Sequence, residues 1–387
     1  MRDFLRELKQ FFRKGDMVLL ILCLATSAFG CVIIASVTNA PKFGSSLRYI
    51  GLQIISTLLG LVFFAVFSSI DADTFSEHRT GLAAFNVFLL LLLIPFGTDN
   101  NTGNKSWLDF PFLPFYIQPA EICKIFFILT MASVMASHQN RISKPWPVVH
   151  MVIHLGLIAG TNFLISGDAG VTLIFVFIFI GMAFAGGVSM LWFGLGAGAL
   201  AAAAPLIWTK VMTVKQRNRI LVLFDPSVDP LGLAERYHAV RSLKSLTGGG
   251  MLGQGLFNGN RTQSGLLFAQ HTDFIFSSIG EELGFLGCGL ILLMLGAIVA
   301  RCIWVGCQSQ DYMRRMVCFG AAAALIFQIV VNVGMCMGVM PVIGLTLPLI
   351  SYGSSSIVTI YAMLGLVSGV FARPAPKSHE RYIRPPL

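Results

Sequence analysis

Three carboxylates stand in one apolar stretch: Asp273, Glu281 and Glu282, in the run H-T-D-F-I-F-S-S-I-G-E-E-L-G-F-L-G at 271–287. A charge in such surroundings is costly unless it is paired, hydrogen-bonded or used in chemistry. Asp273 stands where a long polar segment enters an apolar one. There a carboxylate is partly desolvated and still within reach of a ligand. Desolvation raises its pKa toward the range of a general base, and a nearby cation opposes that shift. The competing reading is a helix N-cap, where the carboxylate accepts backbone N–H bonds and Thr272 can cap equally well. If the helix runs through, Glu281 lies roughly 12 Å beyond Asp273 and within about 80° of it around the axis, so both can face one cavity. Glu282 turns further away. For the adjacent glutamates the alternative to chemistry is a structural ion pair with an arginine or lysine elsewhere.

Other residues could serve the same site. Glu121 and Lys124 are spaced to pair on one helix face, either as a structural ion pair or with Lys124 meeting a phosphate and Glu121 sharing a proton. Asp168, in S-G-D-A-G, is a turn residue or lines the same cavity. Trp107 follows G-N-K-S and is read either as an interfacial aromatic or as a sugar- or lipid-contacting ring. His150 and His154 have a chelating spacing, but no H-E-x-x-H surrounds them. The Gly-rich stretch 248–255 lacks the Gly-Lys-Ser/Thr of a phosphate-binding loop and reads as flexible backbone. The eight cysteines include no C-x-x-C pair and read as small buried hydrophobes.

The elements that position these groups are membrane spans. Only 12% of the 387 residues are charged and 55% are apolar, whereas soluble chains are about 25% charged. Apolar runs of the length needed to cross a bilayer occur at 17–37, 48–70, 80–96, 118–137, 147–166, 169–187, 189–209, 274–303, 315–340 and 346–371. The expected fold is an all-α polytopic membrane protein, a bundle of about ten transmembrane helices over 17–371 with one large extracellular loop, 210–272. Residues 1–16 form an arm whose phenylalanines and leucines share one helical face opposite basic residues, read either as a helix lying on the membrane surface or as an ordinary basic flank before the first span. The tail 372–387 is short, basic and Pro-rich. Lys and Arg concentrate in the arm, the tail and alternate short loops, which places both termini in the cytoplasm. The basic long loop is then extracellular and suits an anionic ligand, and the inner basic residues suit membrane lipids. No nucleic-acid partner is expected.

Several motifs, in order, extend this reading. They are G-x-x-x-W ending at Trp107, I-Q-P-A-E-I-C-K at 117–124, D-A-G at 168–170 and R-I-L-V-L-F-D-P at 219–226. They continue with G-G-G-M-L-G-Q-G-L at 248–256, H-T-D-F-I-F-S-S-I-G-E-E-L-G-F at 271–285 and P-V-I-G-L-T-L-P-L-I-S-Y-G-S-S-S at 341–356. Through these the chain resembles the SEDS proteins (RodA, FtsW and SpoVE) over nearly its whole length. It departs from the usual family pattern at Phe268-Ala269, where Pro-Glu is frequent, at S-G-D-A-G for Q-P-D-L-G, and at Ser354 in S-Y-G-S-S. Its short tails look more like the elongation type, RodA, than the division type, FtsW.

The resemblance implies a peptidoglycan glycosyltransferase that polymerises lipid II at the outer face of the bacterial cytoplasmic membrane, partnered by a class B penicillin-binding protein, a transpeptidase. It implies Asp273 as the essential aspartate, with Trp107, Glu121 and Lys124 at the family's supporting positions. The chemistry needs a base for the acceptor hydroxyl and positive charge for the leaving diphosphate. Asp273 fits the first role. Lys124, Arg217, Arg219, Lys244 or a divalent cation (Mg or Mn) fit the second. Asp168, His271, Glu281 and Ser351 complete the residues expected to bind substrate or support the base. The competing functions are a flippase for lipid-linked precursors, which suits intramembrane charges and Pro-broken helices equally well, and a non-catalytic scaffold for a transpeptidase.

Overall fold

Apolar runs become helices because a helix satisfies its own backbone hydrogen bonds where lipid offers no partners. The computed structural model describes residues 15–72, 74, 78–98, 104–110, 116–229, 236–267 and 269–373. The expected surface helix at 2–14 and nearly all of the tail lie outside the described residues. Among those described, nine helices are long and apolar enough to cross a membrane, and Ala169–Ala185 is apolar but only 17 residues long. All fall on the expected runs, and the protein is a polytopic helical membrane protein.

In chain order the helices are α1 (Met17–Val37), α2 (Ser46–Ser69), α3 (Arg79–Leu91) with the short α4 (Leu93–Phe96), α5 (Pro119–Ser137), α6 (Pro145–Ser166), α7 (Ala169–Ala185) and α8 (Met190–Leu206). The long loop carries α9 (Val214–Phe224), α10 (Tyr237–Gly248) and α11 (Asn260–Gln263). Then follow α12 (Ile275–Gln308), α13 (Tyr312–Cys336) and α14 (Ser354–Ala372). The described strands, Gly97–Thr98 and Trp107–Leu108, form one antiparallel pair. The centre of the bundle is α5, α13 and α14, whose spans are 78%, 67% and 83% buried. α14 lies close against α2, because Gly365 lets the backbones meet: a Cβ there would stand 2.5 Å from the Phe64 carbonyl oxygen. α8 has no buried residue and is tied near its start, where Trp192 Nε1 donates to the Ser143 carbonyl at 2.8 Å.

Two spans differ from expectation, and both differences shape the site. The last span does not begin at 346. Residues 341–353 are irregular, and helix α14 starts only at Ser354. Pro348 lacks a backbone donor, and Leu349 adopts the left-handed region with φ 63°. The segment packs within protein, against Gly30 of α1, where irregular backbone is tolerated.

The eighth span is not one continuous helix either. It breaks at Gly284, with φ 65° and ψ −164°, a conformation open to glycine. The carbonyls of Glu281 and Glu282 accept from the amides of Gln254 and Gly255, each at 2.9 Å. Below the break, the amides of Phe285 and Leu286 donate to the carbonyls of Gly250 and Met251 at 2.9 and 3.2 Å. The Gly-rich stretch read as flexible is therefore pinned along the broken helix. A Cβ at Gly253 would stand 2.2 Å from the Glu282 carbonyl oxygen, so only glycine permits this approach.

Candidate active site

Asp273 lies in the turn at 271–274 that precedes α12. The helix N-cap is Phe274, with no side-chain cap bond, so Asp273 does not take the capping role. Its surroundings are built by main chain. Ser351 Oγ donates to the Thr272 carbonyl at 2.6 Å and accepts from the Leu347 amide at 2.9 Å. The Tyr352 amide donates to the His271 carbonyl at 2.8 Å. Ala269, held at φ 45°, offers its carbonyl to the amides of Thr272 and Phe274. Asn332 Nδ2 donates to the carbonyl of Asp273 at 2.9 Å. The backbone of this aspartate is thus fixed from two sides, and the residue as a whole is half-buried. Burial pushes the carboxyl up to about 6; the Thr272 hydroxyl opposes the rise and the charge of Asp168 adds to it. A base with a pKa near neutrality is suited to take a proton and to release it again.

Asp168 turns out to be the N-cap of α7. Its Oδ1 accepts from the Val171 amide at 3.1 Å, and its Oδ2 accepts from Ser106 Oγ at 3.3 Å. Burial raises its pKa, and the bonds from Val171 and Ser106 lower it. The irregular segment 341–349 separates it from Asp273. A Cβ on Gly170 would lie 2.6 Å from the Ile343 carbonyl oxygen, and one on Gly344 would lie 3.6 Å from Asp273 Oδ2. Both sequence readings of Asp168, turn residue and cavity neighbour, describe parts of this arrangement. Trp107 sits beside Ser106, in the strand register opposite Thr98.

Glu121 and Lys124 pair at 2.8 Å, both buried in the first turns of α5. Thr359 of α14 donates to Glu121 Oε2 at 3.0 Å, and Ser355 Oγ accepts from the Gln118 amide at 3.3 Å. Ser355 and Thr359 therefore tie α5 to the helix that follows the irregular segment. Arg219 of α9 reaches that segment from the loop, donating to the Val342 carbonyl at 3.1 Å. Lys244 stands exposed on α10, the opposite side of which is sunk into the bundle: Ser242 Oγ meets Ser277 Oγ and donates to the Cys336 carbonyl. His271 lies among the rings of Phe43, Tyr49 and Tyr352, with centroids at 5.0, 5.5 and 5.6 Å. Burial and then nearby Lys42 hold its imidazole down at about 4, so it is neutral near pH 7.

Glu281 and Glu282 correct the sequence reading. Glu281 does not face one cavity with Asp273, and neither glutamate forms an ion pair among the described residues. Glu281 accepts from the Arg261 amide at 2.8 Å, the Thr262 amide at 3.1 Å and Thr262 Oγ1 at 2.8 Å. Glu282 accepts from Ser36 Oγ and from Gln263 Nε2 at 2.8 Å. These carboxylates anchor α11 of the loop to α1 and α12. The histidines at 150 and 154 likewise diverge. His154 Nε2 bonds Thr130 Oγ1 at 2.8 Å and His150 Nδ1 bonds His138 Nε2 at 3.2 Å, so they do not converge on a metal. Among the described residues no three His, Cys, Asp or Glu side chains group to hold a metal ion. Asn332, Ser106, Ser355 and Thr359 are not among the residues that the sequence assigns to the site. Hydroxyls are common and signal nothing until the fold brings Ser106 to Asp168, Thr359 to Glu121 and Ser355 to the Gln118 amide.

Comparison with known proteins agrees with this layout. The chain is 30% identical over 357 residues to the peptidoglycan glycosyltransferase MrdB of Escherichia coli (strain K12), covering 92% of this chain and 93% of the relative. It is 32% identical over 367 residues to the probable peptidoglycan glycosyltransferase FtsW of Trichlorobacter lovleyi, with 92% and 93% covered. Among solved structures, a chain of a peptidoglycan synthase complex that coordinates polymerization and crosslinking superposes with a TM-score of 0.77 at 28% identity, covering 96% of this chain and 99% of that one. The rod shape determining protein RodA of Thermus thermophilus gives a TM-score of 0.66 at 25% identity, covering 94% and 98%. The family model described as "Cell cycle protein" matches residues 16–373, and on this match the chain belongs to the FtsW/RodA/SpoVE family.

Proposed function

We propose that this protein is a peptidoglycan glycosyltransferase that polymerises lipid II, with Asp273 as the general base. The observation that carries the reading is a carboxylate whose backbone is clamped and whose pKa is pushed up to about 6 at a partly accessible helix mouth. Asp273 takes the proton of the acceptor sugar hydroxyl as that oxygen attacks the anomeric carbon of the donor. The bond from that carbon to the lipid diphosphate breaks, and the diphosphate leaves with the electron pair. Positive charge near the leaving group lowers the barrier. Lys244, exposed on α10, and Arg217 and Arg219 of α9 are the loop cations assigned to it. Lys124, paired with Glu121, acts by holding α5 and α14 in place.

The loop that carries α9 to α11 faces the outside of the bacterial cytoplasmic membrane, and both termini face the cytoplasm. The excess of Lys and Arg in the arm, the tail and alternate short loops supports this orientation. The partner is a class B penicillin-binding protein, which crosslinks the strands made here. The likeness to a chain from a complex that joins polymerization to crosslinking supports that pairing.

The test is lipid II polymerisation by purified protein, with and without the transpeptidase, comparing wild type with Asp273→Asn. Glycan polymer from wild type and none from the variant is the expected result. Equal polymer from both would remove Asp273 as the base. No polymer from either, with lipid II crossing the bilayer of protein-containing liposomes, would make the protein a flippase instead.

A further inference from the structure

We infer that Asn332 of α13 is a positioning residue for this reaction: one side-chain amide fixes the main chain of Asp273 and of the facing Leu345 together, and so sets where the Asp273 carboxylate stands. The inference rests on the reading of Asp273 as the base.

Asn332 is wholly buried, four residues before the end of α13. Its Nδ2 donates to the Asp273 carbonyl at 2.9 Å and to the Leu345 carbonyl at 2.7 Å. Both hydrogens of the amide are used, so its rotation is fixed. The two acceptors lie on two facing stretches of main chain, the walls of the site. Asp273 belongs to the turn that opens α12. Leu345 follows Gly344, the residue facing Asp273 Oδ2. Movement of either wall breaks one of the two bonds.

The helix does not provide this restraint itself. The amides of Ser277 and Ser278 both donate to the Phe274 carbonyl, so the first turn of α12 passes over the Asp273 carbonyl. That oxygen has one other described donor, the Cys336 thiol at 3.7 Å, a weak bond. Without Asn332 a part-buried carbonyl next to the reacting group would lack its principal partner. The amide is also retained against a cost, since its own Oδ1 is buried with no partner. A residue chosen for packing alone would not carry that orphaned oxygen. Gln328, one turn earlier on α13, provides the internal control: it is also buried and also leaves its side-chain oxygen unpartnered, but among the described residues it makes no bond to the turn at 271–274.

The experiment measures steady-state lipid II polymerisation by full-length protein with Asn332→Leu, Gln328→Leu and Asp273→Asn. Asn332→Leu is expected to lower kcat on the order of 100-fold, the scale of a misplaced reacting group, with KM for lipid II within about twofold. Gln328→Leu, the same change one turn away, is expected to stay within about threefold of wild type. A loss carried by KM, an Asn332→Leu rate near wild type, or an equal kcat loss in Gln328→Leu would each overturn the inference. If Asn332→Leu is not recovered as folded protein, Asn332→Ser, which keeps one donor, replaces it with the same expected split. The two readings separate through the third variant. Full activity in Asp273→Asn sinks the base itself, whereas an inactive Asp273→Asn beside an unaffected Asn332→Leu sinks only the positioning role.

Discussion

Asp273 and the pair Glu281–Glu282 stand eight residues apart in one segment, yet the fold treats them oppositely. Glu281 is saturated by two backbone amides and a hydroxyl, and Glu282 by a serine and a glutamine. Around Asp273 it is the main chain that is clamped, by Asn332, Ser351 and Tyr352, while the carboxylate has the Thr272 hydroxyl and otherwise lies in its cleft. Donors around a carboxylate stabilise its charge and take up the lone pairs that would accept a proton. Glu281 and Glu282 are therefore bonded at their oxygens, as structural carboxylates are, and Asp273, the proposed base, is held through its backbone. The same distinction separates Asp168, which caps α7, from Asp273, which caps nothing.

The contrast breaks most clearly at Asp273. Asp273→Asn is expected to lower polymerisation by about 10³-fold, the scale of lost general-base catalysis. Its thermal unfolding midpoint in detergent should stay level or rise, because no native cap or ion pair is removed. Glu281→Leu should do the reverse. It strands the buried amide and hydroxyl of Thr262, at about 1–3 kcal/mol each, and the part-buried Arg261 amide, so the midpoint should fall sharply. A wild-type midpoint in Glu281→Leu would show that the loop is not anchored there.

The pH dependence sharpens the comparison. Asp273 acts as the ionised carboxylate, so the rate should be present above its pKa and lost as pH falls through about 6. Asp168→Asn keeps a good N-cap while removing a neighbouring negative charge. The acid limb of the rate profile should then move to lower pH; a limb that stays put or rises would disconnect the two aspartates. The smallest expected effect is at Arg219. Arg219→Ala removes a bond to the Val342 carbonyl, worth about 1 kcal/mol, and turnover should fall severalfold. Unchanged lipid II turnover would remove Arg219 from the proposal.

The order and placement of the apolar helices were legible because hydropathy alone requires them: α1 occupies the expected 17–37 residue for residue. The pairing of Glu121 with Lys124 was legible because helix spacing is local. What failed was extrapolation across backbone that is not helical. A helical wheel drawn from Asp273 places Glu281 on its face, but 271–274 is a turn and α12 begins at Ile275, so the wheel has no axis at its starting residue. Gly284 was hidden for a related reason. A glycine within an apolar run reads as continued helix, and only the amides of 254 and 255, supplied from a distant loop, make a break there stable. Asn332 was visible as a polar residue at depth, but its partners are two carbonyls, and carbonyls carry no sequence signature.

The break at Gly284 also ties the eighth span to the loop. The carbonyls of Glu281 and Glu282 and the amides of Phe285 and Leu286 find their partners in residues 250–255. Without that segment the same four groups are each other's ordinary helical partners, 281 with 285 and 282 with 286. Docking of the glycine-rich segment therefore exchanges two bonds within the helix for four bonds to the loop. The bend in the eighth span and the closing of the loop on it are one event, and a span released from the loop is free to straighten.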